Sequence, residues 1–129
     1  MTTIRDIVKG ALKHVSVTAG DEEPSAEDMA DGVTAFNDMV ASWSTKDVHT
    51  GAPIVEEGDQ FPFEDGHVAG VKAMLAVFIA SDHGKSASLE VQTRAHEAWT
   101  AIKADFTVIE PLRADAGLQN MPSQRRWWA

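Results

Sequence analysis

Met29, Val33, Phe36, Val40 and Trp43 stand at i, i+4, i+7, i+11 and i+14, and this spacing constrains the chain more than any other feature. A strand, with its period of two, would scatter these residues over both faces, whereas a helix of 3.6 residues per turn gathers them into one narrow apolar seam. The start of that helix is also written locally. Pro24 precedes Ser25, whose hydroxyl can accept from the free N–H groups of a first turn, and Glu27 and Asp28 suit the positive end of the helix dipole.

Three further segments carry the same period. Thr3, three residues before Asp6, predicts a capping box variant, and Ile4, Ile7, Val8, Ala11, Leu12 and Val15 follow at helical spacing. They span a stripe roughly 140° wide at 100° per residue. Gly20 and the acidic run Asp21–Glu23 end it and read as a solvated loop. From Ser44 to Gln60 the period is lost, and Gly51, Pro53 and Gly58 mark a long loop or short hairpin, with Ala52–Val55 as a weak strand candidate. Phe61, Pro62 and Phe63 then lead into a third helix over about 64–81. Val68, Val71, Leu75, Phe78 and Ile79 make one face of it, and Ala69, Ala73, Ala76 and Ala80 a second, small-residue face. A helix apolar on two sides is central. The alanine face would admit a close neighbour, from this subunit or the next, and is a candidate subunit interface. A fourth helix is expected over about 86–109, with Val91, Ala95, Ala98, Trp99, Ile102, Phe106 and Ile109 as its stripe and Pro111 as its stop.

The fold class expected is therefore all-α. A four-helix bundle fills residues 1–113, with a long central loop that can hold a short hairpin, and an extended C-terminal arm fills 114–129. At 129 residues a chain buries roughly two-thirds of its unfolded surface and can build a core without staples. Cysteine is absent, so disulfides and thiolate metal sites are excluded, as suits a reducing cytoplasm. The start shows no signal-peptide pattern, and no apolar run approaches the ~20 residues of a membrane span. A protein made in the cytoplasm, with no membrane partner, is expected.

Charge separates the arm from the body. Residues 1–117 carry 9 Lys and Arg against 20 Asp and Glu, a balance of −11, while residues 118–129 carry Arg125 and Arg126 alone, a balance of +2. An acidic body argues against gripping duplex DNA, which takes several phosphate-neutralising cations.

The search for chemistry is mostly negative, and no catalytic, cofactor-binding or metal residues are assigned. The five histidines, His14, His49, His67, His83 and His96, do not pair at metal-ligand spacing. Ser81, Asp82 and His83 adjoin in sequence, but triads are assembled in space from separated segments. A helix C-terminal turn with Gly84 at C′ is the better reading. Gly66–Gly70 lacks the third glycine and preceding strand of a nucleotide fingerprint and reads as helix packing. The Glu56–Glu57 pair carries no acid–base signature. An enzyme, such as a cell-wall-cleaving component, is disfavoured accordingly.

Trp43 and Trp99 lie on apolar stripes and are expected in the core. Trp127 and Trp128 lie on none. They can fold back onto the bundle, fray, or anchor with Arg125 and Arg126 in a partner's pocket; Trp and Arg are the types most enriched at binding hot spots.

Several stretches carry a resemblance. The opening "TIRDIVKGALKHVSV", the second helix "SAEDMADGVTAFNDMVASW" with Phe36, Asn37, Met39, Val40 and Trp43 at its end, and the tail motif Met121, Pro122, Ser123 and Arg125 together resemble the head-to-tail adaptors of tailed bacteriophages. That family is also described as head-completion or packaged-DNA-stabilisation proteins and includes gene transfer agent adaptors. The third and fourth helices match it in layout. The resemblance implies a small helical structural virion protein, without enzymatic activity or cofactors, that forms a ring, usually of twelve copies, beneath the portal of a DNA-filled capsid. It implies that the arm docks on the portal through Met121, Pro122, Ser123, Gln124, Arg125, Arg126, Trp127 and Trp128. The ring's other face would receive a downstream tail or stopper protein, and DNA would pass through without specific binding. Location at the virion's head–tail interface follows. The central segment departs from the family: it is short, and the chain has no tyrosine, so contacts made through a longer strand-like insertion are not carried over. The alternative is a small helical regulatory protein that binds a protein partner through its Trp–Arg tail.

Overall fold

The computed structural model describes residues 1–15 and 22–106. Its fold is all-α, with four helices among the described residues: α1 (Ile4–His14), α2 (Ala26–Trp43), α3 (Val68–Ala80) and α4 (Leu89–Phe106). Residues 107–129, which hold the end expected for the fourth helix at Ile109 and the expected arm, lie outside the described residues, as do Gly20 and Asp21.

Helix starts follow their capping residues. At α1, Thr3 accepts from the Asp6 N–H at 3.4 Å while its own N–H donates to Asp6 Oδ2 at 3.1 Å, which completes the capping box. The Ile4 and Arg5 N–H groups instead donate to carbonyls of the central loop, Asp59 at 2.9 Å and Glu57 at 3.0 Å. All four N–H groups from Thr3 to Asp6 are therefore met, two of them by the reciprocal capping pair and two by long-range contacts to the central loop. Ser25 caps α2 by accepting from the Asp28 N–H at 3.0 Å. At α4, Ser88 Oγ accepts from the Val91 N–H at 3.2 Å, so this helix begins at Leu89 rather than near Ser86.

Helix ends are equally local. Beyond α3 a 3₁₀ turn covers Ser81–His83, and Gly84 sits at φ +64°, while the Lys85 N–H returns to the Ala80 carbonyl at 2.9 Å. That is the left-handed C-terminal closure expected from the glycine. The end of α2 closes the same way with Asp47 at φ +63° and the Val48 N–H on the Trp43 carbonyl at 3.1 Å. The third helix starts at Val68, the first residue of its apolar face, rather than near residue 64, because Asp65–His67 form a 3₁₀ turn before it.

The core is laid around α3, which packs on α1, α2 and α4. The whole predicted stripe of α1, from Ile4 to Val15, is buried. On α2 the covered face runs through Met29, Gly32, Ala35, Phe36, Met39 and Trp43; Val33 and Val40 of the predicted seam are half-buried. Two close approaches set the spacing. A Cβ on Gly32 would lie 2.2 Å from Val8 Cγ1, and one on Gly70 would lie 2.6 Å from Ala98 Cβ. The glycines thus let α1 meet α2, and α3 meet α4, nearly backbone to side chain.

The central segment forms no hairpin and Ala52–Val55 no strand; the isolated antiparallel bridge Thr3–Gln60 is the one β feature among the described residues. The loop is nevertheless fastened at both ends. Asn37 on α2 donates through Nδ2 to the Val55 carbonyl at 2.9 Å, and the Val55 N–H donates back to Asn37 Oδ1 at 3.0 Å. At the other end the Phe61 N–H donates to the Thr2 carbonyl at 2.9 Å. Val48, Val55, Phe61 and Phe63 are buried against the helices.

Candidate functional site

The residues expected to dock on a portal, Met121 to Trp128, lie outside the described residues. The alanine face does not. Ala73, Ala76 and Ala80 are buried in this chain's own core, and Ala69 is exposed. Of the two neighbours open to that face, it is this subunit's helices that cover three of the four alanines. Gly70 beside them takes Ala98 of α4, so helix packing is its role, whereas Gly66 lies in the 3₁₀ turn before α3 with open space at its Cβ position.

Residues once weighed for chemistry have structural roles. Ser81, Asp82 and His83 form the turn that ends α3. Glu57 pairs with Arg5, which also meets Glu23 at 3.0 Å, and Glu23 meets Lys9. The acidic run before α2 is thus partly engaged rather than merely solvated. The Arg5 guanidinium is held above its ordinary pKa by its hydrogen bonds to Glu57 and then Glu23, and Glu23 is held below its own by Lys9 and Arg5. These groups are exposed, so each pair contributes little stability, but together they tie α1 to both neighbouring loops. Asp6 is lowered by the Thr3 backbone N–H, as a cap carboxylate should be. His14 is lowered chiefly by burial, with Arg94 and Lys72 adding to it. Among the described residues no group of three or more His, Asp or Glu could hold a metal ion, and no helix is long and apolar enough to cross a membrane.

What the helices do assemble is an aromatic end with an open flank. Trp43 lies 5.7 Å from Phe63 and 5.8 Å from Trp99 between ring centroids, and Phe63 lies 5.4 Å from Phe61 and 5.7 Å from Phe106. Trp43 is buried as expected, whereas Trp99 is half-exposed. Lys46 and Lys103 approach its ring at 5.4 and 5.7 Å, within the range of cation–π attraction. From Trp43 and Trp99 a groove of about 320 Å³ runs between α2 and α4, floored by Met39, Met74, Val77 and Phe78 of α2 and α3. Across Phe78 it continues into a second hollow of about 310 Å³ bordered by Asp31, Asp38, Asp82 and His83. Val77 and Phe78 are 39% and 42% exposed, so Phe78 leaves the predicted core face and becomes the shared wall of the two hollows.

Two structural features escaped the sequence. The Asn37 clasp carries no local signal, since an asparagine within a helix announces no distant backbone partner. Exposure of Val77 and Phe78 was hidden because α3 is apolar nearly all round, and spacing alone does not say which side remains uncovered. No protein-family model matches the chain, and no curated protein matches it.

Proposed function

We propose that this protein is a structural head-to-tail adaptor of a phage or phage-like particle, a non-enzymatic component that joins a portal and receives the next tail component. The observation that carries the reading is the unit made by the residues of the resemblance in α2. Phe36, Met39 and Trp43 are core, and Asn37 between them clasps the central loop. A compact helical body that holds a long loop in a fixed place is what a ring subunit requires, because a closed ring demands the same heterologous contact from every copy. The acidic body suits a channel wall that repels DNA in transit rather than binding it. The cationic, tryptophan-bearing tail is the hook, with Arg125, Trp127 and Trp128 as its anchors. Twelve copies on the portal and a place at the head–tail interface of the virion belong to this proposal.

Deletion of Ser123–Ala129 tests it. The shortened protein is expected to keep its helical circular dichroism and to disappear from portal-containing particles. Incorporation at the normal level would refute the hook, and failure of the full-length chain to bind any portal of its own particle would refute the adaptor.

A further inference from the structure

The hollow beside Trp99 is lined as a bundle interior is lined, yet it is open. Met39, Met74 and Val77 floor it, and the methionines give it an adaptable surface. Phe78, 42% exposed, projects at one end of it, and Trp99 with Lys46 stands at the other. Exposed apolar surface of this kind marks a contact face. Each copy of the chain thus offers both halves of one contact, a projecting ring and a hollow of about 320 Å³ that can take a ring.

Charge fixes how two copies would meet. Asp38, Ser42 and Lys46 stand at i, i+4 and i+8, the first two on α2 and Lys46 in the 3₁₀ turn that continues it. That spacing lays them along one face. Asp38 and Lys46 are exposed, about 12 Å apart along the axis at ~1.5 Å per residue. Neither has an ion-pair partner among the described residues. Ser42 lies midway between them. Its hydroxyl donates to the Met39 carbonyl at 2.6 Å, so it is small and its donor is already met. A two-fold axis at Ser42 brings a second α2 antiparallel to the first. Asp38 then faces Lys46 of the second copy and Lys46 faces its Asp38, whereas a parallel pairing in register would oppose like charges. The same rotation carries Phe78 to the far end of the other copy's hollow, where it meets the half-exposed Trp99 ring.

We propose that the free protein pairs with a second copy of itself through this face, Phe78 of each copy entering the hollow of the other and an Asp38–Lys46 ion pair closing each end. Such an isologous contact is complete at two copies, unlike the heterologous contact of a ring. The pair therefore goes beyond the adaptor reading, and either can fail while the other stands.

Sedimentation equilibrium of the full-length protein over a concentration series tests it. The mass is expected to rise from one chain to two and no further. Phe78→Glu should weaken the association by about thirtyfold or more, as loss of a central aromatic anchor does. Asp38→Lys and Lys46→Asp are exposed changes that leave the core alone. Each opposes like charges at both ends of the contact and should weaken it about tenfold. Mixed in equal amounts, these two variants should pair again at the concentration of the unaltered protein, because each then meets the opposite charge in the other. That recovery is specific to the antiparallel contact, and it stands even if Phe78→Glu fails to fold. A chain monomeric up to millimolar concentration would leave the hollow to another occupant, its own residues 107–129 or a different protein, and overturn the proposal. So would growth beyond two chains, association that survives both charge reversals, or a mixture that restores nothing.

Discussion

Replacing Gly32 with alanine tests the α1–α2 contact through the sign of its effect. In an unobstructed helix the change should stabilise by about 1 kcal/mol, since glycine is that much poorer a helix former than alanine. At Gly32 the new methyl would lie 2.2 Å from Val8 Cγ1 and 3.3 Å from Val8 Cβ. Val8 is fully buried, and as a β-branched residue in a helix it has one strongly preferred χ1 rotamer, so its methyl cannot swing aside cheaply. The helices must part by about an ångström, and overpacking of this kind costs roughly 1–3 kcal/mol. With so short a contact the upper part of that range applies, leaving a net destabilisation of about 1–2 kcal/mol after the ~1 kcal/mol propensity gain. Urea unfolding measures it, with Gly66→Ala, in the 3₁₀ turn before α3, as a control for a methyl added without a clash, because a Cβ there meets nothing within 4 Å. Adding Val8→Ala removes the obstructing methyls, so the double mutant should be more stable than the two single changes predict by about 0.5–3 kcal/mol, the usual coupling between residues in contact. If Gly32→Ala stabilises the protein by the ~1 kcal/mol of an unobstructed helix position, the close crossing of α1 and α2 is refuted.

Asn37→Ala leaves the Val55 N–H and carbonyl without their partners in a half-buried place and should cost about 1–3 kcal/mol, with the exchange of the Val55 amide hydrogen accelerated; unchanged exchange would mean that the loop is held elsewhere. Trp43→Ala removes a buried ring that touches both Phe63 and Trp99 and should cost about 3–5 kcal/mol in denaturant unfolding; a loss below ~1 kcal/mol would remove Trp43 from the core. Acidification tests His14, whose pKa in the fold lies below the ordinary 6.5 chiefly because of burial. The unfolded chain then takes up the proton first, so this contribution is complete above the ordinary value and is lost as pH falls from there through the folded value. Stability should therefore decline between pH 7.5 and 5, above the range where Asp6 and Glu23 titrate, and His14→Gln should flatten that decline; an equal slope in both proteins would refute the assignment.

The sequence by itself determined what depends on neighbours along the chain. The Thr3–Asp6 capping box, the Ser25 cap, the Gly84 closure and the α1 stripe all came through as read, because each rests on residues within a turn or so of one another. The 3.6-residue period made the fold all-α for the same reason. Boundaries moved at helix starts, to Leu89 after the Ser88 cap rather than Ser86, and to Val68 after the 3₁₀ turn Asp65–His67 rather than residue 64.

Tertiary structure decided everything that needs a second segment. Spacing showed two apolar faces on α3 but not their partners; the alanine face went to this chain's own core, and Phe78 was left at the wall of an open groove. The loop after α2 had no period to read, yet its carbonyls at Glu57 and Asp59 cap α1 and its Val55 is gripped by Asn37. Hydrogen bonds and close approaches of this kind join residues tens of positions apart. Their partners are chosen by the packing of helices already formed, so no local pattern records them. Gly32 shows the difference in one residue: along the sequence it is a weak point in a helix, and in the fold it is the space that Val8 occupies.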